Sequence, residues 1–217
     1  MSVVREEYGP TLPELLGRRL GVSVRTVWLA LAAVGAVAAV VVGWLSLRPD
    51  PNLTGVVVRE PVTFNLVYTD AVRRVAPRAG EVLRLQARSG PPQSLAVRPL
   101  RLPPYRGDVS AALALMSVRL IDEMRAAYPG FVYRGDGRVN INKQPGHQIL
   151  FQARIGGRTT YGKRVLLVAT ADPPPRDGLD ITLLSTRSAS VPNVDAVGAS
   201  GTLKTPYRSM RFGTDRP

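Results

Sequence analysis

The chain has 217 residues, with 29 Lys+Arg against 16 Asp+Glu, one His and no Cys. The absence of Cys excludes disulfides, thiol nucleophiles and thiolate metal sites, and one His leaves little for an imidazole-based metal centre. The formal net charge of +13 favours anionic partners over cationic ones.

Residues 1–25 read as a short cytoplasmic tail. Thr11 and Glu14 have capping-box spacing, and Leu12, Leu15, Leu16 and Leu20 recur at helical intervals beside Arg18 and Arg19. Pro13 and Gly17 weaken that helix.

Residues 26–47, TVWLALAAVGAVAAVVVGWLSL, contain no charge. At helical rise they span about 33 Å, which matches a ~30 Å hydrocarbon layer, so the segment is expected to be a transmembrane helix. Trp28 and Trp44 sit near its two ends, where interfacial indoles are favoured. The run is longer than a signal-peptide core and its exit, SLRPDP, has no small-residue cleavage site, so an uncleaved anchor is expected. Gly35, Ala39 and Gly43 recur every fourth residue, the spacing that lets helices pair in lipid. Arg18, Arg19 and Arg25 precede the span, whereas only Arg48 and Arg59 lie close behind it. That bias predicts an N-terminus in the cytoplasm and a large domain outside.

Residues 48–61, RPDPNLTGVVVREP, read as a linker, and residues 62–213 as one extracytoplasmic domain followed by a 214–217 tail. Val62, Phe64, Leu66 and Tyr68 alternate along a half-buried strand. VLRLQAR (82–88) alternates likewise, and SLAVRPLRL (94–102) is a third strand that Pro99 assigns to an edge. DVSAALALMSVRLIDEMRAAY predicts a helix capped by Asp108 and stopped at Pro129-Gly130. Its apolar stripe runs through Leu113, Met116, Leu120, Met124 and Ala127, widened by Val109, Ala112, Val118 and Ile121. Strands resume at 139–142, and a hairpin turns at Gly156-Gly157. LDITLLST (179–186) is a further strand; PNVDAVGASGTL is expected to form a short helix before a closing strand-like YRSMRF.

The expected class is therefore α+β: an N-terminal transmembrane helix, then a mainly antiparallel sheet of about seven strands with one long and one short helix packed on it. The helix ending AAYPG, the hairpin carrying YGKRVLLV and the closing SMRF give an order that resembles the PsbP-like α/β/α sandwich of exported and cell-envelope proteins. The resemblance covers roughly residues 62–213 in pattern. It implies a non-enzymatic domain that binds or assists something at a membrane surface.

Catalytic and ligand signatures are sparse. His147, in PGHQILFQ, is the one imidazole for acid–base work, and no Ser occupies a Gly-x-Ser-x-Gly elbow. Asp122-Glu123 is the adjacent acidic pair of the 62–213 domain, but helical neighbours diverge, so no metal and no cofactor is expected. Gly135-Asp136-Gly137, between Arg134 and Arg138, reads either as an anion-binding nest or as a tight turn between strands, with the turn preferred. Arg73, Arg74, Arg84 and Arg88 form the densest basic stretch and are candidate anion contacts, with Arg84 and Arg88 expected on one side with Gln86. Membrane lipids, a membrane-protein complex or an anionic envelope polymer are the expected partners. Nucleic acid is not, because the domain is expected outside the cell and its basic and aromatic residues interleave sparsely. The leading expectation is a membrane-anchored accessory or binding module. The alternatives are a membrane-tethered hydrolase using His147 and a carrier of an anionic or lipidic small molecule.

Overall fold

The computed structural model describes residues 23–46, 52–170 and 175–215, with backbone alone at residues 24 and 41–46. The Thr11–Glu14 capping box, residues 47–51 of the SLRPDP exit and the Trp44 side chain lie outside the described residues. Two compact units divide the chain at Asp50.

In the first unit, helix α1 spans Val24–Ser46. Ser23 caps it: Thr26 N–H donates to the Ser23 carbonyl at 2.9 Å and, more weakly, to the Ser23 hydroxyl at 3.3 Å. Beyond Arg25 the helix carries no charge. Among the described residues no helix is long and apolar enough to cross a membrane. In α1 the described side chains end at Val40, part-way along the uncharged run.

The second unit is α+β, with a mainly antiparallel strand arrangement. Its strands are β1 (Leu53–Val58), β2 (Phe64–Thr69), β3 (Val72–Val75), β4 (Leu83–Ala87) and β5 (Gln93–Arg101). Helix α2 (Val109–Ala127) follows, then β6 (Val132–Ile141), β7 (Gln144–Ile155), β8 (Arg158–Val168) and β9 (Asp177–Thr186). Helix α3 (Lys204–Ser209) and β10 (Arg211–Phe212) close the unit. One sheet has the order β3-β4-β5-β9-β8-β7-β6, and a smaller one the order β1-β2-β10.

Strand alternation explains the layering. On β8, Val165 and Leu167 face the small sheet and α3, where they join Phe64, Leu66, Leu83 and Ile181 in one core. Leu166 and Val168 face the other way and join Ile149, Phe151, Leu113 and Met124 beneath α2. A strand buried on both faces reads as an unbroken apolar run, which is what VLLV is.

Four expectations change. The 48–61 linker contains β1: Val56 is buried and Val58 pairs with Phe64, so the folded unit begins before residue 62. Pro99 lies in an interior strand, not at an edge, pairing with Leu179 of β9. It is tolerated because β4 pairs only as far as Val97; Val97 C=O accepts from Val82 on that side, and beyond it no ladder needs the missing N–H. Gly135-Asp136-Gly137 is no turn, because β6 runs through it with a register shift between Tyr133 and Gly135. The true β6–β7 turn is Asn142-Lys143, with φ of 48° and 67°, the pair of positive angles that a two-residue hairpin requires. PNVDAVGASGTL forms turns, since Pro192 and the positive-φ glycines Gly198 and Gly201 interrupt a helix; the short helix begins one step later, at Lys204.

The long helix agrees closely with its pattern. Asp108 is the N-cap, accepting from Ser110 N–H at 2.9 Å. Its stripe is narrower than expected, however. Val118 is 62% exposed, on the side of α2 turned away from the sheet, and Ala127, in the last turn, is exposed. At the far end of the sheet pair, Ile155 faces Arg158 across Gly156-Gly157, both with positive φ, as the hairpin reading required.

Candidate functional site

Lys163 is one of three lysines in an arginine-rich chain and the buried one, at 7% exposure. It stands on β8 between Leu150 of β7 and Leu183 of β9, pointing to the α3 side of the sheet. Tyr207 of α3 lies across it, with the ring centroid 5.6 Å from Nζ. Gly198 makes that approach possible: a Cβ there would come within 2.8 Å of the Tyr207 ring, and its φ of +73° is one that other residues avoid.

The lysine opens into a cleft of about 430 Å³ lined also by Gln148, Asn142, Arg208, Val139 and Ile141. Asn142 sets the mouth. Its Nδ2 donates to the backbone carbonyls of Arg208 and Met210 at 2.7 and 2.8 Å, pinning the β6–β7 hairpin tip to the end of α3. No carboxylate lines the cleft, and Lys163 makes no ion pair among the described residues. Burial pushes its ammonium below the ordinary lysine range; the Asp195 carboxylate opposes this and the Arg208 charge adds to it. Burial also raises the Tyr207 phenol to about 12, so it stays neutral.

The candidate anion contacts do not converge on a site. Arg73 and Arg74 are exposed neighbours on β3 and so point to opposite faces. Arg84 is buried and already paired: its Nε and Nη2 reach the Glu81 carboxylate at 2.7 and 2.5 Å. Arg98 adds a second cation at 3.7 Å from Glu81, whose side chain is 1% exposed. Burial would raise the Glu81 carboxyl, but hydrogen bonds from Arg84 and the Arg78 amide, with the Arg84 and Arg98 charges, hold it below its usual range. Arg88 is exposed, its Nε donating to Val72 C=O at 3.4 Å.

His147 is 6% exposed on the α2 face of β7, and its Nε2 is 2.7 Å from Asp136 Oδ2. Tyr133 donates its hydroxyl to the other oxygen of Asp136. The β6 register shift brings Tyr133 and Asp136 to one side although they are three residues apart. The Tyr133 and His147 hydrogen bonds depress the Asp136 carboxyl. The trio ties the edge strand β6 to β7. His147 does not line the Lys163 cleft, and no Ser or Thr hydroxyl bonds to it among the described residues.

A second, shallower groove of about 590 Å³ lies at Pro91, Arg158 and Arg187, at the opposite end of the sheet. Among the described residues no group of three metal-ligating side chains comes together.

On α1, Trp28 is 58% exposed and Ala39 is exposed. A Cβ at Gly35 would meet nothing within 4 Å. Gly35, Ala39 and Gly43 share one side of the helix by their spacing.

Sequence comparison is silent: no family model matches the chain, and no curated protein matches it. Structure comparison is not. The solution structure of cyanobacterial PsbP (CyanoP) from Synechocystis superposes with a TM-score of 0.50, covering 76% of this chain and 94% of that one at 9% identity. The fold is PsbP-like. Also similar is LpqN of Mycobacterium tuberculosis, described as involved in cell envelope biogenesis, with a TM-score of 0.48, coverage of 76% and 94%, and 12% identity. The Lys163 cleft of the PsbP-like unit lies on the sheet face away from its long helix. Lys163 was not legible as a site residue, because in TTYGKRVLLV it falls at a position that alternation alone cannot mark as buried under a distant aromatic ring.

Proposed function

We propose that the protein is a membrane-tethered, extracytoplasmic accessory module of the cell envelope, in which α1 is the single transmembrane anchor and the PsbP-like unit is a non-enzymatic binding domain. The observation that carries this reading is the character of α1. Trp28, Leu29, Leu31, Val34, Val37 and Val40 are all exposed, and at about 100° per residue their positions are spread round the whole helix. A helix apolar all round needs a non-aqueous surrounding. Trp28 and Trp44 would anchor it at the two interfaces, and the Gly35–Ala39–Gly43 row would serve association with another helix.

Orientation rests on the arginine bias, with Arg18, Arg19 and Arg25 on the cytoplasmic flank. The PsbP-like fold supports the reading of the domain as an assisting module. Membrane lipid is the first partner; a membrane complex or an anionic envelope polymer is the second.

The test is extraction. Membranes from cells making the full chain are washed with alkaline carbonate and then with a neutral detergent. Retention through carbonate and release by detergent is the expected result, with a chain lacking residues 1–47 recovered in the soluble fraction. Release of the full chain by carbonate would reject the anchor.

A further inference from the structure

We propose that the Lys163 cleft is a binding site for a phosphate group carried on a small polar body. Lys163 is more than nine-tenths buried, points into the cleft, and has no anionic partner among the described residues. An unpaired buried ammonium is costly, and a fold retains one where a counter-charge arrives from outside or the group has a task. The facing groups narrow the counter-charge. From α3 come the Arg208 guanidinium, which is exposed at the rim, and the neutral Tyr207 ring; from the preceding turns comes Asp195, near enough to feel Lys163 but outside ion-pair distance and outside the lining. From the sheet comes the Gln148 amide. Two cations, the side-chain amides of Asn140, Asn142 and Gln148 and no carboxylate match a doubly charged oxyanion, and Arg with Lys is the pairing that grips phosphate by fork and point charge.

Size and walls describe the rest of the ligand. A cleft of about 430 Å³ falls within the ~300–1,000 Å³ of small-molecule sites and is too roomy for a bare ion. Val139, Ile141 and the Tyr207 ring supply an apolar wall beside the charged end. The source is either a soluble phosphomonoester or the headgroup of an anionic phospholipid.

The three lysines make the test tractable, because Lys143 and Lys204 are exposed and serve as internal controls. Full-length protein is labelled with lysine carrying ¹³C at the ε carbon and held in maltoside micelles, which contain no phosphate. Sodium chloride at matched ionic strength, inorganic phosphate and sn-glycerol 3-phosphate are then titrated in. A saturable displacement of the Lys163 resonance by glycerol 3-phosphate, with Lys143 and Lys204 following salt alone, is expected for a soluble ligand. For a lipid source, the displacement instead appears in phosphatidylglycerol nanodiscs and not in digalactosyldiacylglycerol nanodiscs. Arg208→Ala is expected to weaken either response about tenfold, and Lys163→Met to abolish glycerol 3-phosphate binding by calorimetry while leaving the fold intact. A Lys163 resonance that ignores both the soluble and the lipid phosphates overturns the proposal. So does undiminished binding in Lys163→Met.

Discussion

Lys163 lies beneath the ring of Tyr207, Nζ 5.6 Å from its centroid, and this contact of ammonium and aromatic face, with the more distant Asp195 carboxylate, offsets part of the burial of an unpaired charge. A cation over an aromatic ring recovers about 0.5–2 kcal/mol. It does not cancel the burial, since the ammonium is still held below the ordinary lysine range. The site therefore costs the fold stability.

Lys163→Met is accordingly expected to stabilise the protein, by about 1 kcal/mol or a thermal midpoint 2–4 °C higher. The folded pKa lies below the unfolded value, so the cost is full at pH below the folded pKa and is relieved as pH rises toward 10.5. The advantage of the Met variant should be largest near neutral pH and shrink above it. Thermal unfolding of both proteins across pH 7–10 checks this, and an equal or less stable variant at pH 7 would contradict it.

Gly198→Ala should loosen the same contact. A left-handed backbone costs a non-glycine residue about 1–2 kcal/mol, and the added Cβ would meet Tyr207 Cδ1 at 2.8 Å. Urea unfolding should show a loss of at least that size. Gly80→Ala, at a similar φ of +79° with open space around it, should lose the backbone part alone.

Arg164 and Asp180 form a bidentate pair at 2.8 and 2.6 Å, with side chains 13% and 8% exposed. Removing one partner strands the other, so Asp180→Leu should cost about 3–5 kcal/mol. The double variant Arg164→Met with Asp180→Leu should recover most of that in denaturant unfolding. A double variant as unstable as the single one would show that the loss comes from packing and not from the stranded arginine.

Glu81 should make the fold acid-sensitive. Its folded pKa is depressed below 4.5, so its contribution is full above that value and is lost as pH falls through the folded pKa. Glu81→Gln should cost about 1–3 kcal/mol at pH 7, by leaving Arg84 short of its charged partner, and much less near pH 2. Stability measured against pH for the two proteins gives the difference directly.

The legible parts of this fold were those set by local periodicity. Phe64 and Leu66 alternate into a core, Asp108 caps a helix that Pro129-Gly130 stops, and Gly156-Gly157 closes a hairpin. The illegible parts depend on distant partners. VVV at 56–58 becomes a strand because β2 lies beside it, whereas the prolines around it read as a linker. Gly135-Asp136 has turn chemistry, yet β7 pairs straight past it and converts the extra residue into a register shift. Arg84 looked available until folding brought it and Arg98, from the neighbouring strand, together around the Glu81 carboxylate. The cleft is the extreme case: Lys163, Asn142, Gly198 and Arg208 come from four separate segments, and nothing local marks any of them.

The lack of native Cys permits one measurement that bears on the central claim of an external, membrane-tethered module. Single cysteines are introduced at Ser23, before α1, and at Thr159, on the β8 side of the Gly156-Gly157 turn. Each protein is treated with a membrane-impermeant maleimide in intact spheroplasts and again after permeabilisation. The account predicts that Thr159→Cys is labelled in intact spheroplasts and that Ser23→Cys is labelled only after the membrane is opened. Labelling of Ser23→Cys with protection of Thr159→Cys would invert the topology, and protection of both until permeabilisation would place the domain inside the cell and contradict the claim.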